Sequence, residues 1–175
     1  MSRWKDELDV VPDSISVPVC LPRKDLVGLP GQMLSRIEED YAEIEGRFEK
    51  FQYIMDVSCS TKLSHVSWRD FRLAAALIRS RWVMVDDVGF VADAPKWLKT
   101  GTPDDQAGLA PYFDMLNHGA YYNCSFGFAY GVGLEVMAMT DIKAGDEVLI
   151  QYGTRSDDEL LLNYGFVLGP GKTIV

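Results

Sequence analysis

Phe113-Asp114-Met115-Leu116-Asn117-His118-Gly119, followed by Ile150-Gln151-Tyr152-Gly153 and then Asn163-Tyr164-Gly165-Phe166, are the stretches on which the reading of this chain turns. Between the first and the second lie two runs of strand texture, Cys124 to Tyr130 and Leu134 to Met139, and a third, Glu147 to Tyr152, runs into the second. Turn residues at Gly131-Val132-Gly133 and Lys143-Ala144-Gly145-Asp146 separate them, as a hairpin and its continuation require. Glycine between two strand patterns supplies the positive φ of a hairpin turn, so this Gly-x-Gly reads as structure. Gly169-Pro170-Gly171 reads as a terminal turn, and neither triplet opens a helix after a strand as a dinucleotide fingerprint does. Past the last strand, Ser156 and Glu159 form a capping box for a short helix of Leu160, Leu161 and Leu162 that Gly165 ends.

Upstream the texture is helical. Pro12, Pro18, Pro22 and Pro30 predict an extended lead-in over 11–30. Leu34, Ile37, Tyr41, Ile44, Phe48 and Phe51 then recur at steps of three and four with acids between them, which predicts an amphipathic helix over about 31–51. A second helix begins at Ser67, with Asp70 three residues on, and runs through Trp68, Phe71, Ala75, Ile78 and Trp82. Aromatics at this spacing pack a core. After Arg81, Trp82 to Val85 and Val88 to Val91 read as short strands, and Thr100 to Asp105 as a polar loop. Helices thus precede strands, with no repeat and no low-complexity segment.

At 175 residues and 47% apolar content, the chain can bury a sizeable core as one domain. Seventeen basic against 26 acidic residues leave a net charge of −9. That argues against direct nucleic-acid binding, which needs a basic footprint, and makes a basic peptide the natural electrostatic partner. Cys20, Cys59 and Cys124 are isolated, and neither His65 nor His118 stands at ligand spacing from them. No disulfide framework and no metal site are expected. No run approaches the roughly 20 apolar residues of a membrane span, and Met1 to Val10 is too charged for a signal peptide. A soluble chain without membrane contact is expected.

The Asn-His pair and the two tyrosines around a hairpin resemble the C-terminal half of a SET domain, the fold of one class of S-adenosylmethionine-dependent protein methyltransferases. Ser2 to Pro12 is similar to the segment that opens the inserted helical region in the Rubisco large-subunit methyltransferase-like branch, and Phe71 to Arg81 to that insert's second helix. Ala110 to His118 resembles the return into the SET core, and Gln151 to Val167 the closing signature of the branch. The resemblance implies an α+β chain: a helical insert over 1–109, then the C-terminal half of a SET core with its knot-like crossing over 110–175. Family members carry a Gly-x-Gly cofactor loop in an N-terminal SET half, and nothing before Asn117 matches it. That half is expected to be absent, and the chain by itself to bind the cofactor weakly or not at all. The usual Asn-His-Ser stands here as Asn117-His118-Gly119.

Methyl transfer from a sulfonium to an amine is an in-line displacement, so a protein mainly aligns the nucleophile, keeps it neutral and excludes water. The resemblance implies that Tyr152 is the hydroxyl at the methyl-transfer centre. It makes Asn117 and His118 the cofactor pair, and Tyr164 and Phe166 walls of the substrate channel and adenosyl pocket. From residue type and spacing alone, plainer roles exist: a strand-end tyrosine, a loop turn, and aromatics flanking a helix-ending glycine. Arg155, Asp157 and Asp158 border the same region, and the two acids suit a helix start. The implied function is a protein methyltransferase using S-adenosyl-L-methionine on lysine, with histidine as the alternative acceptor. The competing expectation is a non-catalytic, truncated SET-like interaction module.

Overall fold

The computed structural model describes residues 12–57, 66–84, 107–129 and 133–170. Cys59, His65, the runs at 88–91 and 100–105 and the opening segment at 2–11 lie outside the described residues. The secondary structure is mixed α+β, as expected. The described residues form two compact units: those up to Ser80 with Ser156–Gly169, and those from Arg81 to Arg155 with Pro170.

The first unit is built on helices. Its lead-in stays extended apart from two short 3-10 turns, Pro18–Cys20 and Arg23–Leu26, where proline removes the amide that a longer helix would need. Helix α1 (Gly31–Val57) follows. It outlasts the expected end near 51 because no proline or glycine stands between Gln52 and Val57 to break it. Its inward stripe is Met33, Ile37, Asp40 and Ile44, the rhythm of one helical face; Leu34, expected on that stripe, is exposed. Helix α2 (Trp68–Arg81) starts where predicted: the Asp70 N–H donates to Ser67 Oγ at 3.1 Å, and that hydroxyl donates to the Asp70 carboxylate at 2.7 Å.

Val17, Val19, Ile44 and Ala76 form the main core cluster of this unit, with Tyr41, Trp68 and Phe71 against it. The rings of Tyr41 and Trp68, and of Phe48 with Trp68 and Phe71, lie between 5.1 and 5.6 Å apart, within the range in which aromatic pairs add to burial. Asp40, the one buried charge among the described residues, meets Arg79 of α2 at 2.8 Å and Arg36 at 3.8 Å. A buried carboxylate requires such partners. Helix α3 (Asp157–Tyr164) belongs to the same unit. Its Ser156–Glu159 capping box is present, Leu160 is fully buried, and Leu161 and Leu162 pack on a second cluster of Leu26, Met33 and Ile37.

The second unit is β-rich. Strand β1 (Trp82–Met84) pairs antiparallel with β2 (Ala107–Leu109), and β4 (Cys124–Ala129) pairs antiparallel with β5 (Gly133–Ala138) in the register Cys124↔Ala138 to Ala129↔Gly133. Gly133 takes φ 117, the positive value expected of the hairpin glycine. The third pairing is parallel: β3 (Asn117–His118) lies beside β6 (Leu149–Ile150), with Asn117 opposite Leu149 and His118 opposite Ile150. The strand expected over 147–152 therefore contracts to two residues. Arg81 donates to the Asp114 carbonyl at 3.0 Å, tying the 3-10 turn Phe113–Met115 in place just before β3.

Candidate functional site

The parallel pair β3–β6 brings the Asn-His pair and Tyr152 together in the second unit. Past Ile150 the chain leaves the ladder, and the Tyr152 N–H donates to His118 Nδ1 at 3.1 Å instead of to a strand. The Tyr152 hydroxyl donates to the Leu116 carbonyl at 2.6 Å, and the two rings lie 5.3 Å apart. Tyr152 is thus held by its main chain on one side and its hydroxyl on the other. A phenol whose proton is committed to a carbonyl meets any third group as an acceptor. That is the polarity an amine N–H requires.

His118 serves this geometry only while Nδ1 is unprotonated. Burial pushes its pKa below the ordinary histidine value, and a hydrogen bond with the Ile150 backbone pulls more weakly the other way. The fold therefore favours the neutral imidazole. Its contribution to stability is fully present above the unfolded value of about 6.5 and is lost as pH falls through the lower folded value. The stability advantage of wild type over His118→Gln, which cannot titrate, is expected to shrink as pH drops from 7.5 towards 5 in melting experiments. A gap constant over that range would remove His118 from the linkage.

Asn117 sits on the exposed side of β3, where its amide donates to the Glu147 carboxylate at 2.6 Å. Gly119 closes the motif, is buried, and donates its N–H to the Ile150 carbonyl at 3.1 Å. A Cβ built there would lie 2.9 Å from Leu149 Cδ1, 3.2 Å from its Cβ and 3.3 Å from the Tyr121 carbonyl oxygen. A side chain at 119 would therefore crowd Leu149. Gly119→Ser is expected to cost about 1 to 2 kcal/mol in chemical denaturation, as overpacking does. Combined with Leu149→Ala it should cost less than the sum of the two changes. Strict additivity would show that the contact is not the cause.

Tyr164 and Phe166 belong to the first unit, at the end of α3, with ring centroids 6.3 Å apart. Arg155 donates from Nε to the Tyr152 carbonyl at 3.4 Å. Asp157 accepts the Leu168 N–H at 2.9 Å, a contact that closes the turn after α3. One residue of this region carried no signal in the sequence: Asn123, whose side chain spans to the backbone of Glu147 and Leu149. Its partners lie far along the chain, where no spacing rule reaches.

Comparison with known proteins gives a consistent family. The SET domain profile matches residues 18–153. SET domain-containing protein 4 of Mus musculus is 29% identical over 171 residues, and its Homo sapiens counterpart 26% over 167; each alignment covers 95% of this chain. The chain spans about 37% of the length of these curated relatives. Among solved structures, the SET domain of LSMT bound to lysine and AdoHcy matches with a TM-score of 0.70 at 22% identity, covering 97% of this chain and 37% of that one. Rubisco LSMT bound to sinefungin and monomethyllysine matches with a TM-score of 0.69 at 24% identity, covering 96% and 36%.

Proposed function

The chain belongs to the SET domain family, a family of protein methyltransferases, and on that premise we propose that it carries the methyl-transfer centre of an S-adenosyl-L-methionine-dependent protein lysine methyltransferase. The observation that supports this reading most is the double anchoring of Tyr152, through its N–H to His118 and its hydroxyl to the Leu116 carbonyl. Solved structures of similar fold hold AdoHcy with lysine, or sinefungin with monomethyllysine, ligands of the kind this reading assigns. The division of the chain near residue 109 into a helical insert and the C-terminal half of a SET core is part of the same proposal.

The groups around Tyr152 fit a sulfonium cofactor. A carbonyl, a phenol and an imidazole whose pKa burial lowers face one another at Tyr152, with the Arg155 guanidinium held on its main-chain carbonyl, and carbonyl oxygens suit weak C–H···O contacts with a polarised methyl. Within the second unit Asn117 and His118 would hold the cofactor; the cofactor role of Tyr164 and Phe166, in the first unit, is proposed from the family resemblance alone. When bound, the cofactor supplies an electrophilic methyl group. The protein's own contribution is positional. The Tyr152 oxygen accepts an N–H of the incoming amine and turns its lone pair towards the methyl, while the ring walls the path against water. Deprotonation of a lysine ammonium is favoured where the charged form is desolvated, so an apolar wall also keeps the nucleophile neutral. The net charge of −9 suits a basic peptide as substrate.

The test is transfer of labelled methyl from S-adenosylmethionine to lysine-bearing basic peptides by the longest natural form of the protein, beside a melting titration with S-adenosylhomocysteine. Transfer together with a raised melting temperature is expected. Absence of both would reject the catalytic reading in favour of an interaction module.

A further inference from the structure

Asn123 stands between β3 and the β4–β5 hairpin, and both its main-chain groups and both ends of its side chain are engaged. Its N–H donates to the Leu149 carbonyl at 3.2 Å and its carbonyl accepts the Met139 N–H at 2.8 Å. Its Oδ1 accepts the Leu149 N–H at 2.9 Å, and its Nδ2 donates to the Glu147 carbonyl at 2.8 Å. Leu149 therefore turns both main-chain groups to Asn123, while the Ile150 carbonyl takes the Gly119 N–H on the other edge. This alternation is that of a strand with a neighbour on each side. Here one of the neighbours is a single asparagine.

A ladder of two residues specifies its register weakly. A slip by one residue would turn Tyr152 to the opposite face and carry it about 3.3 Å along the strand. The amide opposes such a slip, because its acceptor and donor match the Leu149 N–H and the Glu147 carbonyl in one register only. We infer that Asn123 is a positioning residue for the proposed methyl transfer: it fixes the register of β6 from the edge opposite β3, to which the short segment 119–122 ties it, and so sets the Tyr152 hydroxyl on Leu116 and the Tyr152 N–H on His118. The inference rests on the role given to Tyr152 above.

Hydrogen exchange on the 175-residue chain reads this positioning without any methyl transfer. Asn123→Ala is expected to speed exchange of the Tyr152 and Gly119 amides by about 10-fold or more, with the α1 and α3 amides unchanged. Unchanged exchange at Tyr152 overturns the inference, whatever the activity. In the longest natural form the same substitution should lower kcat by about 10- to 100-fold, with peptide KM and S-adenosylhomocysteine affinity within about threefold of wild type. In a Tyr152→Phe background it should lower kcat little further, since the two changes act through one group. Full additivity there would leave Asn123 merely structural and overturn the inference. Should Asn123→Ala lose the α1 protection that reports folding, Asn123→Asp keeps the acceptor for Leu149 and replaces the donor to Glu147 by a carboxylate oxygen that cannot bond that carbonyl. Faster Tyr152 exchange in that variant supports the inference, and wild-type exchange overturns it. A wild type that transfers no methyl group, with Tyr152 exchange still quickened by Asn123→Ala, supports the positioning and sinks only the assigned function.

Discussion

Tyr152→Phe is expected to lower kcat by about 10- to 1000-fold in the longest natural form, corresponding to roughly 1.4 to 4 kcal/mol of transition-state stabilisation. The substitution keeps the ring against His118 and removes only the hydroxyl that donates to the Leu116 carbonyl at 2.6 Å. Folding should survive and S-adenosylhomocysteine affinity should change little. Tyr164→Phe is the comparison, with a smaller rate loss or a changed number of methyl groups added. Single-turnover methylation of a cognate peptide by wild type and both variants decides the matter. An unimpaired Tyr152→Phe enzyme would remove the hydroxyl from the proposed mechanism.

Gly165→Ala should remove about 2 to 5 kcal/mol of folding stability, combining roughly 1 to 2 for a side chain in the left-handed region with about 1 to 3 for overpacking. Gly165 takes φ 82 at the end of α3, and its N–H donates to the Leu160 and Leu161 carbonyls. A Cβ there would meet the Ser16 carbonyl carbon and oxygen at 2.7 Å and the Val17 nitrogen at 3.0 Å. These are backbone atoms, and Val17 is fully buried, so the neighbour cannot swing aside as a long side chain could. Gly145 separates the two causes: its φ is 96, yet nothing lies within 4 Å of its added Cβ. Gly145→Ala should cost only the conformational part. Equal losses in urea denaturation would show that the approach to residues 16–17 contributes nothing.

What the sequence revealed were features whose partners lie within a few residues. The Ser156–Glu159 box, the Ser67–Asp70 cap, the end of α3 at Gly165 and the β4–β5 hairpin each follow from local rules, and each is present. The SET fold was legible for a different reason, through short motifs near Asn117 and Tyr152 that carry a family resemblance. Less legible was where strand pairing stops. The run over 147–152 has strand texture throughout, but Gln151 and Tyr152 leave the ladder because His118 captures the Tyr152 N–H. On α1, residues 33 and 34 are both apolar, and only packing decides that Met33 goes inside. The glycine at 119 and the asparagine at 123 answer to Leu149 and Glu147, long-range relations that no pattern in one sequence discloses.

The parallel pair β3–β6 also bears on the order in which the second unit assembles. Asn123 and Leu149 are 26 positions apart, a contact order that makes an unaided encounter slow. The β4–β5 hairpin needs no such search: its register is local, and it closes at the Met139 N–H on the Asn123 carbonyl. Once zipped, it leaves about ten residues between its base and Leu149, which lowers the loop-closure cost by roughly 1 kcal/mol. The hairpin should therefore form first and serve as the template on which residues 147–150 dock, with Tyr152 arriving last. Substitutions in the hairpin should slow folding, whereas those at Tyr152 should mainly quicken unfolding.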